Sequence, residues 1–234
     1  MTLASGTTFT PLTVQVASIG RLQHGRALSD FDPMNPRKGI VQVGPVSGEE
    51  FLRFIRHAAR SRESGAISTQ FEGELRRGDP DVGALGIWAC GAPVGAASFA
   101  LIPLRFQDGG WSGRLDVVAT APEARGHGVG ALLVAALMLE LHQRLETRWR
   151  HVSVVAVHPA IERLARDYGL GRIEGGDTPL YFRDLDDESR TSLYGRASKE
   201  YARHRAELAR ECSRCQRFLA AEPWCRDPGE GKPG

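Results

Sequence analysis

Between Gly39 and Leu185 the chain carries two hydrophobic rhythms, one of period two and one near 3.6, and together they predict its elements. GIVQVGPV puts Val41 and Val43 on one face, as a strand does. SGEE follows, with Ser47 as a helix cap and Glu50 three residues on, and then Phe51, Phe54, Ile55 and Ala58 recur at helical spacing. A second, short helix is expected from Ile67, Phe71 and Leu75 before RRGDPD stops it. ALGIWAC and VGAASFALIPLRF are two apolar, strand-like runs separated by Gly91, Ala92 and Pro93, the pattern of a hairpin. RLDVVAT, from Arg114 to Thr120, reads as a further strand. From about Val129 to Glu146 a helix is apolar nearly all round in its first turns, which implies burial against a sheet. HVSVVAV is β-branched and reads as a strand buried on both faces. Ile161, Leu164, Ala165 and Tyr168 make one face of the next helix, Gly169-Leu170-Gly171 ends it, and TPLYFRDL supplies a last strand.

This order of strand, two helices, three strands, helix, strand, helix and strand predicts an α/β sheet with helices packed on it. Residues 1–38 mix Thr, Pro, Gly and Arg without sustained periodicity, apart from a strand-like stretch at Leu12 to Ala17, and form an N-terminal extension. The domain proper covers 39–186. In the C-terminal part, 187–234, Tyr194, Ala197, Tyr201, His204, Leu208, Cys212, Cys215 and Leu219 are spaced three or four apart, so residues 188–220 are expected to form one long amphipathic helix. Its stripe must be buried on its own domain or on a second copy, which would make a homodimer.

Composition narrows the classes. A chain of 234 residues, 41% hydrophobic and 25% charged, can bury a self-sufficient core. The longest apolar stretch, Gly128 to Leu139, falls short of the roughly 20 residues that cross a bilayer, and the N-terminus lacks the basic and apolar regions of a secretory signal. Cytoplasmic location without membrane insertion is expected. The net charge of +2 gives no reason to expect nucleic acid, and Arg53, Arg56, His57 and Arg60 read as a solvated helix face. Four cysteines without an export signal imply reduced thiols. Cys212-x-x-Cys215 with Cys225 and His204 can be counted as a zinc set, but the single CxxC pair already lies on the apolar stripe, so no metal is expected.

The chemistry concentrates in RGHGVG, residues 125–130. A strand, a loop and a helix start carrying Gly126, Gly128 and Gly130 leave several backbone N–H groups at a positive dipole end with no Cβ in the way. That is an anion cradle, to which Arg125 adds a positive charge. The alternative is that the glycines only permit close helix packing. The dinucleotide pattern G-x-G-x-x-A is formally met but lacks a strand running into the first Gly and an acidic residue after the next strand, and no Gly-Lys-Ser/Thr follows for a Walker loop.

VVATAPEARGHGVGALL resembles motif A of the GNAT superfamily of CoA-dependent N-acyltransferases, with Arg125, Gly128 and Gly130 at the signature positions and Thr120-Ala121-Pro122 before them. VAVHPAIERLARDYGL is similar to the family's fifth strand and following helix. The resemblance covers residues 39 to 186. It implies a mixed, splayed sheet flanked by helices, with acetyl-CoA as cosubstrate and a small-molecule or peptide amine as acceptor. It implies further that the backbone of Val118, Ala119 and Thr120 meets the pantetheine arm, and that the amides of Gly126 to Ala131, including Gly128, Val129 and Gly130, bind the pyrophosphate. An acyltransferase using a longer acyl chain is the runner-up, and a CoA-binding or protein-interaction module without catalysis is the rival reading.

Side-chain roles stay open at this level. Asp116 is the one acid inside an apolar strand, and strict alternation puts it on the face of Val118 and Thr120. It either takes the amine's proton or pairs with Arg114. Where many family members carry an acid tyrosine this chain has Ala165, with Tyr168 one turn on as either a displaced acid or a core aromatic. His158 stands in place of a frequent asparagine and either contacts pantetheine or caps a loop. Glu72 and Glu74 are acceptor-side alternatives that read first as surface.

Overall fold

A computed structural model of the chain describes the backbone of residues 41–59, 73, 79–105, 109–156, 158–173 and 179–214, and the side chains of all of these except 57–59 and 212–214. The N-terminal extension with its strand-like stretch, the short helix through Ile67, Phe71 and Leu75, the carboxylates Glu72 and Glu74, Arg60, and Cys215 and Cys225 lie outside the described residues, as do the side chains of His57 and Cys212.

The chain enters through strand β1 (Val41–Pro45) and helix α1 (Gly48–Ala59). A reciprocal cap starts the helix: Glu50 Oε2 accepts from the Ser47 N–H at 2.9 Å and from Ser47 Oγ at 2.8 Å, while the Glu50 N–H donates to Ser47 Oγ at 3.2 Å. Phe51 and Phe54 are then fully buried. Strands β2 (Val82–Ala89) and β3 (Ala92–Pro103) form the expected hairpin. Its two-residue turn is Cys90-Gly91, with φ of +53° and +81°, the left-handed pair that a tight hairpin matched to strand twist requires. Strand β4 (Trp111–Thr120) follows, then helix α2 (Val129–Leu145), strand β5 (Trp149–Val155), helix α3 (Pro159–Asp167), strands β6 (Gly171–Ile173) and β7 (Leu180–Asp184), and helix α4 (Asp187–Arg214). The short β6 was not expected: its three residues are all exposed and carry no alternation to read.

The seven strands make one sheet in the order β1-β2-β3-β4-β5-β7-β6. Every neighbouring pair is antiparallel except β4 and β5, which the crossover through α2 makes parallel. Glycines seat α2 on the sheet. A Cβ at Gly95 would come within 2.6 Å of Val129, and one at Gly113 within 2.7 Å of Leu141. The apolar residues of α2 facing away from the strands are covered by α4, whose Leu193, Ala197, Tyr201 and Leu208 are buried. The two helices run antiparallel, with Tyr194 against His142 near one end and His204 against Gly128 at the other. From Tyr194 to Leu208 the amphipathic stripe therefore packs within its own chain. Among the described residues no helix is long and apolar enough to cross a membrane.

One expectation fails outright. Cys90 is disulfide-bonded, its partner lying outside the described side chains, so the thiols are not all reduced. The reason is placement: Cys90 is 1% exposed at the end of the sheet on which the distal half of α4 also packs, and there Arg205 donates to the carbonyl of Val41 at 3.3 Å.

Candidate functional site

Strands β4 and β5 pair from Trp111–Trp149 to Leu115–Val154 and no further. Beyond that point residues 117–120 of β4 keep their β3 partners, while β5, paired with β7 on its other edge from His151–Asp184 on, ends at Val155–Leu180. The sheet thus opens into a wedge, and one edge of β4 from Asp116 to Thr120 presents backbone groups to it. Val118, Ala119 and Thr120 are half-buried on this edge.

At the mouth of the wedge the chain makes a short turn (Pro122–Ala124), passes Arg125 and enters α2. Gly126 and Gly128 have φ of +81° and +75°, and Gly128 is the helix N-cap without a side-chain capping bond. The first intrahelical bond is from the Leu132 N–H to Gly128 O at 2.9 Å, so the amides of Val129, Gly130 and Ala131 have no acceptor in the helix. A Cβ at Gly126 would meet nothing within 4 Å, and one at Gly130 only a Thr120 methyl at 3.9 Å. Open space therefore stands over orphan amides at the positive end of a helix dipole, which suits a phosphate or diphosphate. Arg125 is exposed beside it.

The family model described as "Acetyltransferase (GNAT) family" matches residues 50–170, just over half of the chain. The chain belongs to the GNAT family of acetyltransferases. Its fold is similar to that of Arabidopsis thaliana NAA60 in complex with acetyl-CoA, at 11% identity, with 62% of this chain and 99% of that one covered and a TM-score of 0.49. It is also similar to a chain of the NatC complex bound to Gag peptide and CoA, at 13% identity, 62% and 99% coverage and a TM-score of 0.50. An acetyltransferase from Thermus thermophilus matches at 16% identity, 64% and 100% coverage and a TM-score of 0.45. No curated protein sequence matches the chain.

Within this GNAT domain, Asp116 is at a β-bulge. Val117 pairs with Ser98 and Leu115 with Phe99, which leaves Asp116 as the extra residue. Val118 and Thr120, paired with Ala97 and Gly95, keep step with Leu115 through β3, so the bulge takes Asp116 out of phase with them. The alternation that grouped it with Val118 and Thr120 is corrected accordingly. Its carboxylate meets Arg114 instead, with Oδ1 2.5 Å from Nε and Oδ2 3.4 Å from Nη2, and is mostly buried at the apex of the wedge.

His158 follows β5 and so flanks the wedge opposite the glycine turn. It caps α3, its Nδ1 accepting from the Ala160 N–H at 3.1 Å, and its ring is exposed. Tyr168 closes the other end of α3. The structure sets it against α4, whose Arg196 lies 5.5 Å over its ring, while Arg183 of β7 donates to its carbonyl at 2.9 Å. Its hydroxyl is buried with no hydrogen-bond partner among the described residues. Burial, reinforced by Glu200, pushes its pKa well above the ordinary tyrosine value. Ala165 is buried in the face of the same helix.

Sequence reasoning missed the groups that α4 brings to the glycine turn. His127 Nδ1 lies 2.5 Å from Glu211 Oε2, and a Cβ at Gly128 would meet His204 Nδ1 at 2.8 Å. Partners 84 residues apart leave no local signal. His204, counted above as a zinc donor, is packed on the turn between Glu200 and Glu207.

Proposed function

We infer that this GNAT domain transfers an acyl group, in the first instance acetyl, from acyl-CoA to a primary amine. The observation that carries the reading is a sheet wedge leading straight to orphan amides at the start of α2. In this reading the amides of Gly126 to Ala131 and Arg125 hold the diphosphate, and the free edge of Val118 to Thr120 aligns the pantetheine arm. His158, on the facing side, borders that arm.

The chemistry then asks little of side chains. The amine nitrogen attacks the thioester carbonyl, a C–N bond forms, the C–S bond breaks, and the amine's proton must leave while the thiolate gains one. Holding a neutral amine about 3–3.5 Å from the carbonyl supplies much of the acceleration. Asp116, ordered by Arg114 at the wedge apex, is the group proposed to take the amine's proton. Tyr168 is the weaker proposal for returning one to sulfur, because its hydroxyl is enclosed beneath α4.

The test combines binding with turnover. Gly130→Asp places a carboxylate over the amides at a position where acids favour the helix, so the fold should survive while calorimetric affinity for acetyl-CoA falls at least tenfold. Unchanged affinity in the folded variant would refute the cradle. Thiol release from acetyl-CoA and longer acyl-CoAs against a panel of small amines and peptides then identifies the acyl group and the acceptor class. A second reading, binding without turnover, draws on Ala165 and on the enclosed Tyr168 hydroxyl. It predicts tight CoA binding with no thiol release from any pair.

A further inference from the structure

The glycine turn is not bare on every side. The distal half of α4, which lies beyond the family match, reaches it with two imidazole–carboxylate pairs. Glu211 Oε2 accepts from His127 Nδ1 at 2.5 Å. His204, only 12% exposed, has Nδ1 3.1 Å from Glu207 Oε2 and Nε2 3.3 Å from Glu200 Oε2, with Arg203 Nη2 3.0 Å from the same Nε2. The contact of His204 with Gly128 fixes where this charge cluster sits: directly against the N-cap whose following amides have no helical acceptor.

Two opposite effects meet there. His127 and His204 are donors suited to a phosphate oxygen, while Glu207 and Glu211 occupy those donors and place negative charge within a Debye length of about 10 Å of any anion on the turn. Besides these carboxylates, α4 has its own apolar seam on α2, with Leu193, Ala197, Tyr201 and Leu208 buried.

Resting on the acyl-CoA reading above, we propose that Glu211 and Glu207 act as a built-in competing anion. They hold His127 and His204 at the diphosphate turn in the free protein and yield them to the cosubstrate's phosphates on binding. The C-terminal helix thereby sets cosubstrate affinity.

Glu211→Gln keeps the side chain's size at a half-exposed position and removes one competing charge. Its calorimetric affinity for CoA, and for inorganic diphosphate, should rise about three- to tenfold. His127→Gln removes the donor and should weaken both by a similar factor. Glu188→Gln, an exposed charge at the opposite end of α4, is the control and should leave both constants unchanged. Unchanged or weakened binding in Glu211→Gln, or an equal gain in Glu188→Gln, would overturn the proposal. Failure of the parent protein to bind CoA at all would instead overturn the cosubstrate reading on which it rests.

Discussion

Two glycines of the same turn are held by different constraints, and that difference can be measured. At Gly126 only the left-handed backbone matters, because a Cβ there meets open space. Gly126→Ala should cost about 1–2 kcal/mol of stability. Gly128 combines a similar φ with an imidazole 2.8 Å from any Cβ, so Gly128→Ala should cost clearly more in urea denaturation. Equal losses would show that His204 gives way freely. The glycines were legible because their chemistry is local, whereas the setting of Asp116 was not. A bulge is a property of two strands, and the alternation of β4 read alone puts the carboxylate on the wrong face. If Asp116 takes the amine's proton, Asp116→Asn should lower kcat about a hundredfold with little change in CoA affinity, and the deficit should shrink as pH rises and more acceptor is already neutral. A purely structural carboxylate would instead lower stability and leave the kcat of the folded fraction and its pH profile intact.

At the scale of elements, α4 decides how α2 is buried. A helix on a sheet needs one apolar face, yet α2 is apolar nearly all round, and the second face has its partner in Leu193, Ala197, Tyr201 and Leu208. Leu208→Ala should cost about 2–4 kcal/mol in chemical denaturation, because the residue is fully enclosed. A cost near zero would mean that α4 is loosely held. The other end of this interface carries a titration. His142 lies 4.4 Å from Tyr194 and 6.3 Å from Trp149, and burial, with Arg190 adding, draws its pKa below the ordinary histidine value of 6.5. A depressed histidine pKa means the fold prefers the neutral ring. The stability it contributes is therefore complete above the unfolded value near 6.5 and is lost as pH falls through the folded value. His142→Gln should melt with a shallower decline than the parent between neutral and mildly acid pH, and an identical decline would remove His142 from the account.

Over the whole molecule, the Cys90 disulfide and the α4 interface act at the same end of the sheet. With four cysteines and one bridge occupying two of them, no more than two thiols should react in the unreduced, denatured chain. All four should react after reduction, and the reduced protein should melt lower, in keeping with the roughly 2–4 kcal/mol a bridge commonly supplies. Four reactive thiols without reductant would dispose of the bridge.

The sequence by itself determined what depends on near neighbours along the chain. The Ser47–Glu50 cap, the hairpin, the order of the described strands and helices apart from the short β6, the amphipathic stripe of α4 and the glycine turn all rest on spacings of a few residues, and the family follows from the same short segments. Only the tertiary structure decided the bulge at Asp116, the enclosure of Tyr168, the closing of the α4 stripe on its own domain and the approach of His204 and Glu211 to the turn. These are contacts between groups brought together by packing, and a contact across 84 residues is chosen by the competition among all faces that need covering. No periodicity along one segment can encode that choice.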